Sequence, residues 1–87
     1  MAYLLATIDT KVRWYVVPLK RVEDIQFLEL GQFTLLDQLD LEVVPGFGNK
    51  DTAKRVAMAL GLKTWRYVKM DGPKTVYELN DVGVGKR

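Results

Sequence analysis

The chain of 87 residues contains no cysteine, no histidine and no serine. Without cysteine there is no disulfide framework, no thiolate metal site and no cysteine nucleophile. Without histidine the usual general base near neutral pH is absent, as is the commonest ligand for zinc, copper or haem. Without serine, every Ser-His or Cys-His nucleophile arrangement is excluded. We therefore expect a protein that is not an enzyme and that holds no cofactor and no metal.

Long apolar runs are also missing. No stretch approaches the roughly 18 apolar residues of a membrane-spanning helix. The apolar run near the N-terminus is short, has no basic leader and is interrupted by Asp9. These features predict a cytoplasmic protein without membrane association. The length and a hydrophobic fraction of 48% predict one domain over residues 1–79, with 80–87 as a flexible tail.

The charges are segregated along the chain. Residues 21–44 carry six carboxylates and one base, a net charge of −5, whereas residues 50–74 carry seven bases and two carboxylates, a net charge of +5. The overall charge of +2 conceals this separation. A basic segment that also contains aromatic residues favours a polyanion or an acidic protein surface as partner.

The N-terminal half has four predicted elements. Residues 3–8 and 12–17 are rich in β-branched and aromatic side chains, which predicts a β-hairpin. A helix is predicted within 21–30, and a capping-box pattern at 34–37 predicts the start of a second short helix. The alternation of apolar and acidic residues at 39–44 then predicts a central strand.

The C-terminal half has a loop, a helix and a hairpin. Residues 45–49 are read as a loop. Residues 51–60 form an amphipathic helix pattern, with Asn49 or Asp51 as N-cap and Gly61 past the end. Residues 64–70 and 75–79 are predicted to pair as a hairpin. The fold class predicted from these elements is α+β.

The basic segment is the candidate site. Clustered cations neutralise phosphates, and aromatic side chains among them stack on nucleic-acid bases. A strand over 63–70 would place Trp65, Tyr67 and Lys69 on one face, although both aromatics also suit a core. The predicted binding residues are Lys50, Lys54, Arg55, Lys63, Trp65, Arg66, Tyr67, Lys69 and Lys74.

An alternative fold places a helix where the strand is predicted. Ala57, Gly61 and Leu62 fit the first helix and turn of a helix-turn-helix, and Lys63, Arg66 and other residues of the following segment would face DNA. With residues 71–79 as a wing, this half resembles a winged helix-turn-helix of the excisionase type. The resemblance implies DNA binding by a recognition helix over about residues 63–70.

An alternative function uses both charged segments. A basic surface of one copy can meet the acidic surface of another, or either can meet a charged partner protein. This predicts a protein-interaction module, acting as a homodimer, an adaptor or an inhibitor.

Overall fold

The computed structural model describes residues 1–79 and combines a six-stranded mixed sheet with two short helices. The predicted α+β class is confirmed. The two helices are a 3₁₀ helix, Val22–Phe27, and the α-helix α1, Lys50–Ala59. The tail predicted for residues 80–87 lies outside the described residues. The strands are β1 (Ala2–Ala6), β2 (Trp14–Val16), β3 (Thr34–Leu36), β4 (Gly46–Phe47), β5 (Arg66–Met70) and β6 (Val76–Tyr77).

Strand β1 lies at the centre of the sheet and is paired along both of its edges. β5 runs antiparallel to it over five residue pairs. Because β5 occupies one edge of β1 throughout, the pairs Ala6↔Trp14 and Tyr3↔Phe47 place β2 and β4 on the other edge. β3 extends the sheet beyond β2, and β6 runs parallel to β4.

The N-terminal hairpin predicted for residues 3–8 and 12–17 is confirmed, with shorter paired strands. The backbone amide of Thr7 donates to the carbonyl of Arg13 at 2.9 Å. The amide of Arg13 donates to the Thr7 hydroxyl at 3.0 Å. These two bonds close the hairpin beyond the last paired residues.

The helix predicted for 51–60 is also confirmed, as α1. Asn49 is its N-cap, because its side-chain oxygen accepts a hydrogen bond from the Thr52 amide at 2.8 Å. Gly61 follows the helix with a φ of 77°, which glycine adopts without strain. The amides of Gly61 and Leu62 donate to carbonyls of the last turn at 3.0 and 2.9 Å, which completes the C-cap.

The helix predicted within 21–30 forms as the 3₁₀ helix Val22–Phe27. Its start is held by Asp24, whose carboxylate accepts hydrogen bonds from the amides of Lys20 and Arg21 at 3.2 and 3.1 Å. The acidic residue satisfies backbone donors that a helix start leaves without partners.

The helix predicted to begin at 34–37 is wrong. Residues 34–36 form β3, in which Leu35 pairs with Tyr15 of β2. Phe33 packs edge-on against the Tyr15 ring, with centroids 5.1 Å apart. A short segment with weak local preference takes the conformation that its sheet neighbour stabilises.

The strand predicted at 39–44 is also wrong. Residues 41–43 form a turn instead. The Asp40 carbonyl accepts hydrogen bonds from the amides of Val43 and Val44 at 3.1 and 2.9 Å, and the Asp40 carboxylate accepts one from the Glu42 amide at 2.9 Å. Asp40 therefore provides local partners that compete with a ladder.

The segment 45–49, predicted as a loop, contains the two-residue strand β4. A Cβ on Gly46 would lie 2.9 Å from Cβ of Ala2 and 2.9 Å from Cγ of Pro73, closer than carbon atoms pack. Glycine is therefore what allows the backbone of β4 to approach β1 so closely.

The C-terminal hairpin is wrong in its pairing. Strands form within both predicted segments, 64–70 and 75–79, but β5 pairs with β1 and β6 pairs with β4. The amides of Gly46 and Gly48 donate to carbonyls at and just before β6, at 3.0 and 2.8 Å. Because β6 forms its backbone hydrogen bonds with residues 46–48, it does not pair with β5.

The winged helix-turn-helix alternative is wrong as well. Its recognition helix would cover about residues 63–70, but Arg66–Met70 is the strand β5. The β-branched and aromatic residues of this segment favour extended backbone, and the five-pair ladder to β1 fixes it.

The main core lies between the sheet and α1. It combines apolar residues from β1, β2, β4, the 3₁₀ helix and the buried side of α1. Ala2, Leu4 and Ala6 alternate with the core-facing Leu5 and are buried on the other face of the sheet. The buried members of the main core are Leu5, Tyr15, Val17, Leu19, Ile25, Phe47, Ala53, Val56, Ala57 and Leu60.

The N-cap of α1 gives the first prediction. Replacing Asn49 by alanine removes the acceptor of two hydrogen bonds, from the Thr52 amide and the Thr52 hydroxyl, each 2.8 Å long. We expect Asn49→Ala to lower the free energy of unfolding by about 1 kcal/mol. Asn49→Ser, which keeps a capping oxygen, should retain most of it. Urea denaturation with an unchanged m-value checks this; equal midpoints for the two variants would contradict it.

The second prediction concerns alkaline pH. Burial, with a smaller contribution from Asp24, raises the pKa of Tyr77 above its usual 10.0. The folded state therefore keeps the phenol proton at a pH at which the unfolded chain releases it, so stability falls as pH rises above 10.0. Burial likewise raises the pKa of Tyr15.

Tyr77→Phe separates this effect from the hydrogen bond that the Tyr77 hydroxyl donates to the Leu19 carbonyl at 2.7 Å. The variant should lose about 1 kcal/mol at neutral pH. The difference from the wild type should shrink between about pH 9 and about pH 11, because only the wild type has a Tyr77 proton to lose. Urea midpoints across this range test it, and a constant difference would be the contrary result.

Candidate functional site

Two aromatic rings and a lysine meet on the helix side of the sheet. The β1–β5 register places Tyr67 opposite Leu5 and Lys69 opposite Tyr3. Leu5 belongs to the core beneath α1, so its cross-strand neighbours lie on the same side. The rings of Tyr3 and Tyr67 meet edge to face, with centroids 6.3 Å apart and planes at 81°.

Trp65 continues this row just before β5 begins. Its ring meets Tyr67 edge to face, with centroids 6.4 Å apart and planes at 86°. Trp65 and Tyr67 both pack against the main core, and both remain partly exposed. The rings therefore contribute to the core while each keeps part of its surface open to solvent.

The start of α1 brings a second lysine to the rings. Lys50 is the first residue of the helix, and its Nζ lies 5.9 Å from the ring centroid of Tyr3 and 5.6 Å from that of Tyr67. Nζ of Lys69 lies 5.7 Å from the centroid of Tyr3. These are distances at which a cation is attracted to the face of a ring. We call Tyr3, Lys50, Trp65, Tyr67 and Lys69 the lysine–aromatic surface.

Lys54 lies next to this surface. It is four residues after Lys50 on α1, so it projects from the same side of the helix, one turn further along. Its side chain is exposed. Within residues 1–79, Lys50, Lys54 and Lys69 have no carboxylate oxygen within 4.0 Å of their ammonium groups. Two of these three cations, Lys50 and Lys69, therefore lie over the tyrosine rings, and Lys54 lies one helical turn further along α1.

Two predicted site residues lie elsewhere on the sheet and its loops. Arg66 precedes Tyr67 in β5, so its side chain projects from the opposite face of the sheet. Lys74 is at an ion-pair distance from Glu42, with Nζ 3.3 Å from Oε1, and its amide donates to the Leu41 carbonyl at 2.9 Å. The structure does not bring these two residues to the lysine–aromatic surface.

Lys63 and Arg55 also lie apart from it. Lys63 is in the connection between α1 and β5 and lines a groove with Leu30 and Phe33. Arg55 lies at the edge of the exposed side of α1 that faces Val22 and Leu28, away from the tyrosine rings. The basic segment that looks continuous in sequence is thus divided among several surfaces.

Tyr3 is the one residue of this surface that sequence reasoning missed. Its position in an apolar strand makes it look like a core residue. The sequence gives one indication of its exposure: Tyr3 and Leu4 are consecutive strand residues, so their side chains project from opposite faces of the sheet. Only the register with Lys69 shows that Tyr3 meets the basic segment.

Three of the six carboxylates in the acidic segment have partners within residues 1–79. The carboxylates of Asp24 and Asp40 accept hydrogen bonds from backbone amides, and Glu42 pairs with Lys74. An acidic surface formed by these residues is therefore less available to a partner than the sequence suggests.

Residues 1–79 contain neither a cluster of potential metal ligands nor a helix that could span a membrane. In that range no group of three or more acidic side chains is arranged to hold a metal ion. Neither helix of the described chain is long and apolar enough to cross a membrane.

No protein-family model matches this chain, and comparison with curated proteins and with solved structures finds no significant match to either. Its function is therefore inferred from the residues and geometry above.

Proposed function

We propose that this protein is a non-enzymatic nucleic-acid-binding module and that the lysine–aromatic surface, with Lys54, is its binding site. The observation that supports this is the placement of the Lys50 and Lys69 ammonium groups over the partly exposed rings of Tyr3 and Tyr67, with the Trp65 ring beside them. Neither ammonium group has a carboxylate partner within residues 1–79. Nucleic acids combine regularly spaced anions with flat aromatic bases, which are the complements of these two groups.

The charges give the expected strength and salt dependence of binding. If Lys50, Lys54 and Lys69 each neutralise one phosphate, the logarithm of the binding constant should fall with the logarithm of salt concentration with a slope of about −2 to −3. So small a number of phosphate contacts gives weak electrostatic affinity on its own. Ring contacts are then needed for binding at physiological salt.

A protein partner is the second candidate function. One observation favours it. One edge of β5 pairs with β1, and no strand within residues 1–79 pairs with the other edge of β5. An extended acidic segment can add to such an edge by backbone hydrogen bonds. Self-association through opposite charges is less favoured, because Asp24, Asp40 and Glu42 already have partners within the chain.

The third prediction compares two bases of β5. Lys69 lies on the proposed surface and Arg66 on the opposite face of the same strand, and both side chains are exposed. Neutralising Lys69 should weaken binding to a labelled oligonucleotide at low salt and reduce the salt slope by about 0.7 to 0.9. Neutralising Arg66 should leave the slope unchanged.

The measurement is fluorescence anisotropy of the labelled oligonucleotide, titrated with wild type, Lys69→Gln and Arg66→Gln from low to physiological salt. The two variants have the same net charge and therefore the same long-range field. Equal losses for both would mean that binding follows net charge and not this surface. Absence of binding by the wild type at low salt would remove the nucleic-acid proposal and favour a protein partner.

A further inference from the structure

We infer that the ligand of the lysine–aromatic surface is single-stranded nucleic acid and not a duplex. This inference rests on the proposed nucleic-acid function and specifies its substrate class. It follows from how the rings and the cations are arranged relative to each other, and from what the helix α1 presents to solvent.

Rings and cations are interleaved on this surface. The ammonium group of Lys50 lies within 5.9 Å of the ring centroids of both Tyr3 and Tyr67, and that of Lys69 lies 5.7 Å from Tyr3. A single strand has the same composition, with a flat base beside each phosphate. In a duplex the bases are stacked and paired, so they have no free face for these rings.

The lysines do not block the rings. The attraction between a cation and an exposed aromatic ring favours their contact over separation by about two- to fivefold. A base stacked on such a ring contributes about 5- to 150-fold in affinity. Displacement of an ammonium group by a base is therefore favourable.

The surface lacks the elements that read a duplex. A major groove admits an α-helix or a two-stranded ribbon. The exposed side of α1 carries Asp51 and Met58 beside Lys54 and Arg55, so a carboxylate would face the phosphates. β5, which covers most of the segment of the alternative recognition helix, is a strand paired with β1. The rings, and not a helix, are the part of the surface suited to contact bases.

The test compares oligothymidylate, oligouridylate and a blunt duplex of the same length, at low salt. We expect both single strands to bind at least about tenfold more tightly than the duplex, since stacking adds to the phosphate contacts only for them. The thymidylate and uridylate arms, which differ in the 2′-hydroxyl and in the C5-methyl group of the base, distinguish a DNA source from an RNA source.

Substitution of Tyr67 links the preference to the rings. Tyr67→Leu keeps apolar volume against the core but removes the ring, and it should lower single-strand affinity about 5- to 150-fold while leaving duplex affinity unchanged. Tyr67→Phe keeps the ring and is the matched control, with affinity close to that of the wild type. Circular dichroism establishes that each variant is folded.

Fluorescence of Trp65 provides a second test, which does not depend on Tyr67→Leu being folded. The chain has two tryptophans, so Trp14→Phe leaves Trp65 as the only one. A base stacked at the surface should quench Trp65 emission on saturation with a single strand. Binding without quenching would overturn the inference.

The outcomes for the two proposals differ. Equal affinity for single strand and duplex, with sensitivity to Lys69→Gln, would overturn the single-strand inference and leave nucleic-acid binding in place. No binding of any of the three probes would overturn the proposed function itself.

Discussion

The pairing of β1 on both edges is the constraint on which the other parts of the structure depend. β5 occupies one edge along its full length, while β2 and β4 share the other. A strand with both edges paired and with buried residues on both faces leaves few backbone groups without partners. The five-residue register with β5 also determines which basic and aromatic side chains become neighbours. The position of the candidate site is thus a direct consequence of the pairing that holds the sheet together.

The hydrogen bonds that begin α1 connect the stability of the fold to the candidate site. The Thr52 hydroxyl donates to Asn49 and accepts from the Leu79 amide at 2.9 Å, so the start of the helix is tied to the segment that follows β6. Lys50 is the next residue after the cap. Its ammonium group reaches the tyrosine rings because the cap fixes where the helix begins. The same few polar contacts therefore position an element of the core and a cation of the surface.

Trp65 and Tyr67 show that a structural and a functional interpretation of one residue need not exclude each other. Both pack against the core and both keep exposed surface, and the Lys50 ammonium group lies 5.6 Å from the ring centroid of Tyr67. A ring held by core packing has lost most of its side-chain freedom, so a ligand that stacks on it orders little more. The acidic and basic segments of the sequence also differ in how the structure uses their charges. The carboxylates of Asp24 and Asp40 act as local hydrogen-bond acceptors. Lys50, Lys54 and Lys69, by contrast, have no carboxylate partner within residues 1–79.

The sequence by itself determined the elements with strong local signals. The amphipathic period of 51–60, the cap at Asn49, the glycine at 61 and the extended preference of β5 all act within a few residues, and the structure confirms each of them. The same local signals predicted that Trp65, Tyr67 and Lys69 lie on one side. Only the tertiary structure decided which strands pair, that residues 34–36 extend and 41–43 turn, and that Tyr3 joins the site while Arg66 and Lys74 do not. The physical reason is that short segments differ in local preference by little. Hydrogen bonds and side-chain contacts with residues distant in sequence contribute more free energy than those differences. These distant contacts cannot be predicted from the local sequence pattern.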